Sequence, residues 1–228
     1  MNGEEENRME RTDLKVRTAT FALLSISCLI ASYLFLIIDD MDSLFQLLLP
    51  FSYFALGMLI KYGDQAYDVG CFDRRKALVL AFPSGLWFGY MMINDPPTAA
   101  IGIGMLLGLL FAKKYDNRGF IIGFLIAIGM VILGLLSGKL SFSIYAMVLV
   151  IGATYVDELV NDIEGVDRLE TLRDRIFQQR PFLKIAIFFL CVVGTFPSFA
   201  YLFMMLSFDF GYALVDCVSQ ISVGSRVG

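Results

Sequence analysis

There is no histidine anywhere in the 228 residues of this chain. That absence removes His-ligated zinc and haem, and every nucleophilic scheme that relies on a Ser-His or Cys-His pair. Cysteine is scarce too, and Cys28, Cys71, Cys191 and Cys217 show neither paired nor metal-type spacing. Three of them fall in apolar or amphipathic runs, where a small buried thiol is ordinary. Charged residues make up only 18% of the chain, and the net charge is −4, which leaves no nucleic-acid footprint. With nitrogen and sulfur ligands so few, any bound metal is expected to be held by oxygen, which points to Mg²⁺, Mn²⁺ or Ca²⁺.

What the chain has in abundance is apolar length. It is 57% hydrophobic with a mean hydropathy of +0.70, and several runs approach the roughly 20 residues that cross a bilayer as helix. The short alternating segments of a transmembrane barrel are absent. The expectation is therefore an all-α polytopic transmembrane bundle of seven to eight helices in the lipid bilayer of the cell membrane. The spans read as Thr18–Ile38, Leu44–Ile60, Ala77–Ile93, Thr98–Ala112, Gly119–Leu136, Phe142–Val156 and Phe182–Leu206. Residues 1–17 then form a cytoplasmic segment and 18–206 the bundle. Residues 207–228 are either an amphipathic surface segment or a final short crossing, with Pro197 and Asp209 interrupting the last apolar run.

Basic residues orient this topology. With the N-terminus inside, sixteen of the eighteen lysines and arginines fall on inner segments, and the outer loops hold only Lys139. The positive-inside rule is followed closely. Short outer turns make antiparallel hairpins, Pro96-Pro97 marks one of them, and Gly102, Gly104, Gly108, Gly119, Gly123, Gly129 and Gly134 are expected to allow close helix approach.

Three apolar runs end in acids on the same inner face. Lys61-Tyr-Gly-Asp64-Gln-Ala-Tyr67-Asp68 puts two aspartates one helical turn apart. Lys113, Lys114 and Asp116 follow the fourth run, and Asp157, Glu158, Asp162 and Glu164 close the sixth. A carboxylate at a helix C-terminus is disfavoured by the dipole, so three such placements suggest a site that expects cations. Mg²⁺ is commonly held by one or two carboxylates, with water and phosphate oxygens completing its shell. Lys61, Lys113, Lys114, Arg74, Arg75 and Arg168 are available to neutralise phosphate directly. The bland alternative is a solvated rim, which is the expectation for Asp73, Asp167, Glu170 and Asp174. Asp39, Asp40, Asp42 and Asp95 are expected in solvated turns on the opposite side.

The two acidic segments resemble the motifs of the UbiA superfamily of intramembrane prenyltransferases. Gly63-Asp64-Gln-Ala-Tyr-Asp68-Val-Gly-Cys-Phe-Asp73-Arg-Arg is similar to that family's first motif, with glycine where the family has asparagine and with stretched spacing. Asn161-Asp162-Ile-Glu164-Gly-Val-Asp167-Arg168 is similar to the second. The resemblance implies a prenyl diphosphate bound through Mg²⁺, with a lipid or aromatic acceptor in the same cavity. Asp64 and Asp68 would hold one metal, and Asp162 with Asp157 or Asp167 a second. Lys61, Lys114 and Arg168 would assist departure of the diphosphate, and Arg74, Arg75 and Tyr67 would contribute to its binding. Tyrosines at this depth are equally expected as interfacial anchors. Two readings of other classes stand beside this one. The first is a cation-coupled transporter whose acids line a path, and the second is a structural protein whose polar loops dock another subunit.

Overall fold

The computed structural model describes residues 3–41, 43–115, 117–163 and 180–227. Among them are eight helices and no strand: α1 Gly3–Ile38, α2 Leu44–Tyr67, α3 Arg74–Asn94, α4 Pro96–Phe111, α5 Arg118–Leu136, α6 Ile144–Ile163, α7 Pro181–Val192 and α8 Ala200–Val227. Six contain stretches long and apolar enough to cross a membrane, while α4 and α7 are shorter. The chain is a polytopic helical bundle. Side chains on its outside are apolar, with Val79, Phe82, Leu125 and Leu135 all exposed. A water-soluble fold does not leave so much contiguous apolar surface open; hydrocarbon covers it at no cost.

Local chemistry sets the helix starts. Ser43 and Gln46 form a reciprocal capping box on α2. Asp73, Asp95 and Asn117 cap α3, α4 and α5 through side-chain bonds to backbone N–H groups. Pro96 and Pro97 occupy the first turn of α4, where a missing N–H is harmless. Most of α4 is buried, including Ala99, Ala100, Ile101 and Leu106. It is the central helix, enclosed by its neighbours, and so does not need the length of a lipid-facing one.

The C-terminal region departs from the expected span Phe182–Leu206. The interruption lies at residues 193–199, and α8 continues unbroken across 206/207. Gly194 turns at φ 75°, and the N–H of Thr195 closes back on Leu190 O at 2.9 Å, ending α7. Ser198 Oγ then accepts from Ala200 N at 3.0 Å and starts α8. The twelve residues of α7 rise only about 18 Å, short of the roughly 30 Å hydrocarbon layer. The turn at 193–199 follows α7, with Phe196 buried in the core. At the N-terminus, α1 is already helical at Gly3, so residues 3–17 run into the bundle without a break.

Helix α8 packs most extensively against α2 and α1, α3 against α5, and α4 against α6. The α2–α8 contact depends on two glycines. A Cβ on Gly57 would lie 2.0 Å from Phe208 O, and one on Gly211 would lie 2.7 Å from Phe54 O. Close backbone approach of this kind is how membrane helices associate when burial of apolar surface offers little. Of the glycines expected at contacts, Gly104 and Gly108 do meet α6 at Val150 and Thr154. Gly129 is a correction, because nothing lies within 4 Å of its added Cβ.

Asp95 is a second correction. It is 4% exposed rather than solvated. Its carboxylate accepts from Thr98 N at 2.9 Å and from Tyr201 OH at 2.8 Å, and Tyr53 OH donates to Thr98 Oγ1 at 3.0 Å. The α3–α4 corner is thereby tied to α8 and α2 on the face opposite the acid clusters. Exposed Asp39 and Asp40 are solvated as expected.

Two outcomes follow. Gly57→Leu forces α2 and α8 apart and lowers stability by about 1–3 kcal/mol or more, read as a lower thermal midpoint in detergent, whereas Gly129→Ala leaves the midpoint unchanged or raises it. Burial raises the carboxyl of Asp95 above its ordinary range. Between the unfolded and folded values the folded chain binds more proton, so this group's contribution to stability falls as pH rises through that window. As pH rises from the ordinary aspartate range of about 4, thermal midpoints decline less steeply in Asp95→Asn than in the parent.

Candidate functional site

The face carrying the acid clusters is built where α2 ends. Gly70, at φ 69°, turns the chain and its N–H closes on Gln65 O at 3.0 Å. The Arg74 guanidinium then donates to Ala66 O at 3.1 Å and to Tyr67 O at 3.0 Å. A cation thus covers the carbonyl end of α2, where the dipole is negative. Arg74 also lies over the Tyr67 ring at 5.7 Å.

Asp64, one turn before this end, is held from two sides. Asn117 Nδ2 donates to Oδ1 at 2.8 Å, and Tyr212 OH donates to Oδ2 at 3.2 Å. Asn117 is available in that position because its own Oδ1 caps α5 through Phe120 N at 2.7 Å. One residue therefore starts α5 and orients the carboxylate on α2. Lys61 Nζ sits 4.7 Å from the Tyr212 ring centroid and 3.0 Å from Asp216 Oδ1. Gln65 and Gln220 also donate to Asp216, at 2.8 and 2.9 Å. From the other side Arg180 reaches Glu158 at 3.4 Å and lies 5.7 Å from the Tyr212 ring.

These groups surround a cavity of about 210 Å³ whose charged lining is Lys61, Asp64, Asp68, Lys114, Glu158 and Arg180. Three positive and three negative side chains leave it formally neutral. Two further spaces adjoin it. An apolar cleft of about 80 Å³ runs between α2, α3, α4 and α5, sharing Ile60 and Phe120 with the cavity. An open groove of about 830 Å³, holding Arg74, Arg75 and Arg118, shares Asp68 with it.

The expected site residues are therefore partly brought together and partly separated. Lys61, Asp64, Asp68 and Lys114 meet in one cavity. Tyr67, Arg74 and Arg75 line the adjoining groove instead. Asp157 is turned away from both: it is 1% exposed, and its carboxylate accepts from Phe182 N at 3.0 Å and Leu183 N at 2.8 Å. It caps α7 from across the helix pair, a task that arises because Arg180 offers α7 no side-chain cap. Arg168, Asp116, Glu164, Asp167, Glu170 and Asp174 lie outside the described residues, as does the side chain of Asp162. Among the described residues no group of three Asp, Glu, Cys or His is arranged to hold a metal. Asp64 and Asp68 both line the cavity, and both oxygens of Asp64 already accept hydrogen bonds, from Asn117 and Tyr212.

Tyr212, Asp216, Asn117 and Arg180 were not singled out by the sequence. For α8 a signal was present: Asp209, Tyr212 and Asp216 recur at helical spacing in an otherwise apolar run, marking one polar stripe facing the bundle. Asp209 is itself paired with Lys184 of α7 at 2.8 Å. Asn117 and Arg180 looked like loop residues, and only the packing of α5 and α7 directs them inward.

Comparison with protein-family models, with curated proteins and with solved structures gives no match.

The capping role of Asp157 has a direct test. Asp157→Ala leaves two buried N–H groups of α7 without their acceptor and lowers stability by about 0.5–2 kcal/mol. Asp157→Asn, which keeps an acceptor oxygen, loses less. Thermal denaturation of the detergent-solubilised variants ranks them in that order.

Proposed function

We propose that the chain binds a prenyl diphosphate at this face and is a Mg²⁺-dependent prenyltransferase-like protein, as its resemblance to the UbiA superfamily implies. The observation that supports this reading is the joined geometry of cleft and cavity. A narrow apolar slot lies against a charged chamber, with Ile60 and Phe120 in the walls of both. That profile matches a ligand with a hydrocarbon tail and a polyanionic head.

Charge arithmetic gives the metal its place in the proposal. The chamber is formally neutral, yet a phosphate monoester brings about −1.5 to −2 at neutral pH, and a diphosphate more. A divalent cation on Asp64 and Asp68 would remove that mismatch and polarise the phosphate oxygens as charge develops on the leaving group. Asn117 and Tyr212 hold the Asp64 carboxylate in one orientation. Lys61 and Arg180 place two positive charges around Tyr212, where they would stabilise the departing diphosphate.

The test is binding of a long-chain prenyl diphosphate to detergent-purified protein, with Mg²⁺ and with excess chelator. Binding is expected only with Mg²⁺, and Asp64→Asn weakens it by about 10–100-fold, or roughly 1.4–2.8 kcal/mol. Asp157→Asn leaves it unchanged. Equal binding in chelator would overturn the metal assignment, and no binding in either condition would overturn the ligand assignment.

A further inference from the structure

The basic groove beside the cavity has a different character from the cavity itself. Around the cavity Lys61 pairs with Asp216 and Arg180 with Glu158, and between α7 and α8 Lys184 pairs with Asp209. Arg74 is occupied by the end of α2. Arg75 and Arg118 differ. Both are exposed, both line the groove, and neither side chain has an ion-pair partner among the described residues. They stand in the first turns of α3 and α5, two helices that pack closely through Gly85 and Gly123.

One turn further into each helix the groove becomes apolar, with Leu78 and Ile122 as its walls. Beyond them the outer surface of the same pair continues with exposed Phe82 on α3 and Leu125 on α5. The sequence along this seam is thus two unmatched guanidinium groups at the membrane boundary, then hydrocarbon. Guanidinium forks match phosphate oxygens in geometry as well as charge, and basic pockets at helix ends on a membrane face suit anionic lipid heads.

We infer that the groove between the starts of α3 and α5 is a binding site for one anionic phospholipid, its head phosphate on Arg75 and Arg118 and its acyl chains along the α3–α5 seam. The bound lipid is a structural ligand of the bundle: its groove shares Asp68 with the chamber around Asp64, but the two arginines that take the head phosphate line the groove and not the chamber. The bulk positive-inside effect acts on every basic residue of this face alike, whereas a site depends on these two arginines in particular.

Native mass spectrometry of the detergent-purified protein, titrated with phosphatidylglycerol and separately with phosphatidylcholine, reads this directly. The parent is expected to retain a single phosphatidylglycerol at least about fivefold in preference to phosphatidylcholine, a difference of roughly 1 kcal/mol. Arg75→Gln/Arg118→Gln removes the preference, while Lys76→Gln, an exposed cation on α3 that does not line the groove, keeps it. Adding inorganic phosphate at millimolar concentration leaves the lipid bound. Chelator and Asp64→Asn also leave it bound, so failure of the metal-site reading and failure of this one are distinguishable. Equal retention of the two lipids, loss of preference in Lys76→Gln to the same degree, or displacement by free phosphate would each overturn the assignment. Circular dichroism of the double variant should match the parent, because neither arginine side chain bonds within the described fold. A changed spectrum would count against the groove being a lipid site alone.

Discussion

The close approach of α2 and α8 is the contact on which the rest of the site depends. With Gly57 under the Phe208 carbonyl and Gly211 under that of Phe54, the two backbones pack without an intervening layer of side chains. Lys61, Asp64 and Gln65 on one helix then meet Tyr212 and Asp216 on the other at hydrogen-bonding distance. A methyl group at either glycine would separate those partners by more than a hydrogen bond tolerates. In a bilayer there is no hydrophobic gain from bringing two greasy helices together, so small residues and polar pairs carry the association. Here the two devices lie on the same helix pair within a few turns of each other.

Burying so many ionisable groups costs desolvation free energy, and the network answers that cost locally. Each carboxylate in or near the chamber whose bonds are described has donors: Asp64 from Asn117 and Tyr212, Asp157 from two amides of α7, Asp216 from Lys61 and two glutamines. A buried pair is weak evidence for stability, since well-packed apolar residues often do as well. The opposite face gives the contrast. Asp95, Tyr201, Tyr53 and Thr98 form a closed polar knot, and its task is to lock the α3–α4 corner to α2 and α8.

How much was legible beforehand differs by level. The helical class and the position of most helices followed from run length alone, because a bilayer imposes about 20 apolar residues per crossing. The meeting of Asp64 and Asp68 with Lys61 and Lys114 on one face followed from i, i+4 spacing and from hairpin topology. Asp157 was misjudged because helix-end acids look alike in sequence. Whether one faces a cavity or an amide end is decided by the neighbour, and α7 supplied the amides. Asp95 was misjudged for a related reason, as an aspartate before two prolines reads as an open turn until a tyrosine from over a hundred residues away is packed against it.

The sequence by itself determined that this chain is an all-helical, multi-pass membrane bundle with ionisable groups gathered at helix ends, since hydropathy, loop charge and period are local quantities. Only the tertiary structure decided which of those groups share a chamber. It was also the structure that brought Tyr212, Asn117 and Arg180 to Asp64 and left Arg75 and Arg118 in a separate groove. The physical reason is that side-chain partnership across a bundle depends on helix rotation and interaxial distance. Those are set by which small residues meet, a property of pairs of segments and not of either one alone.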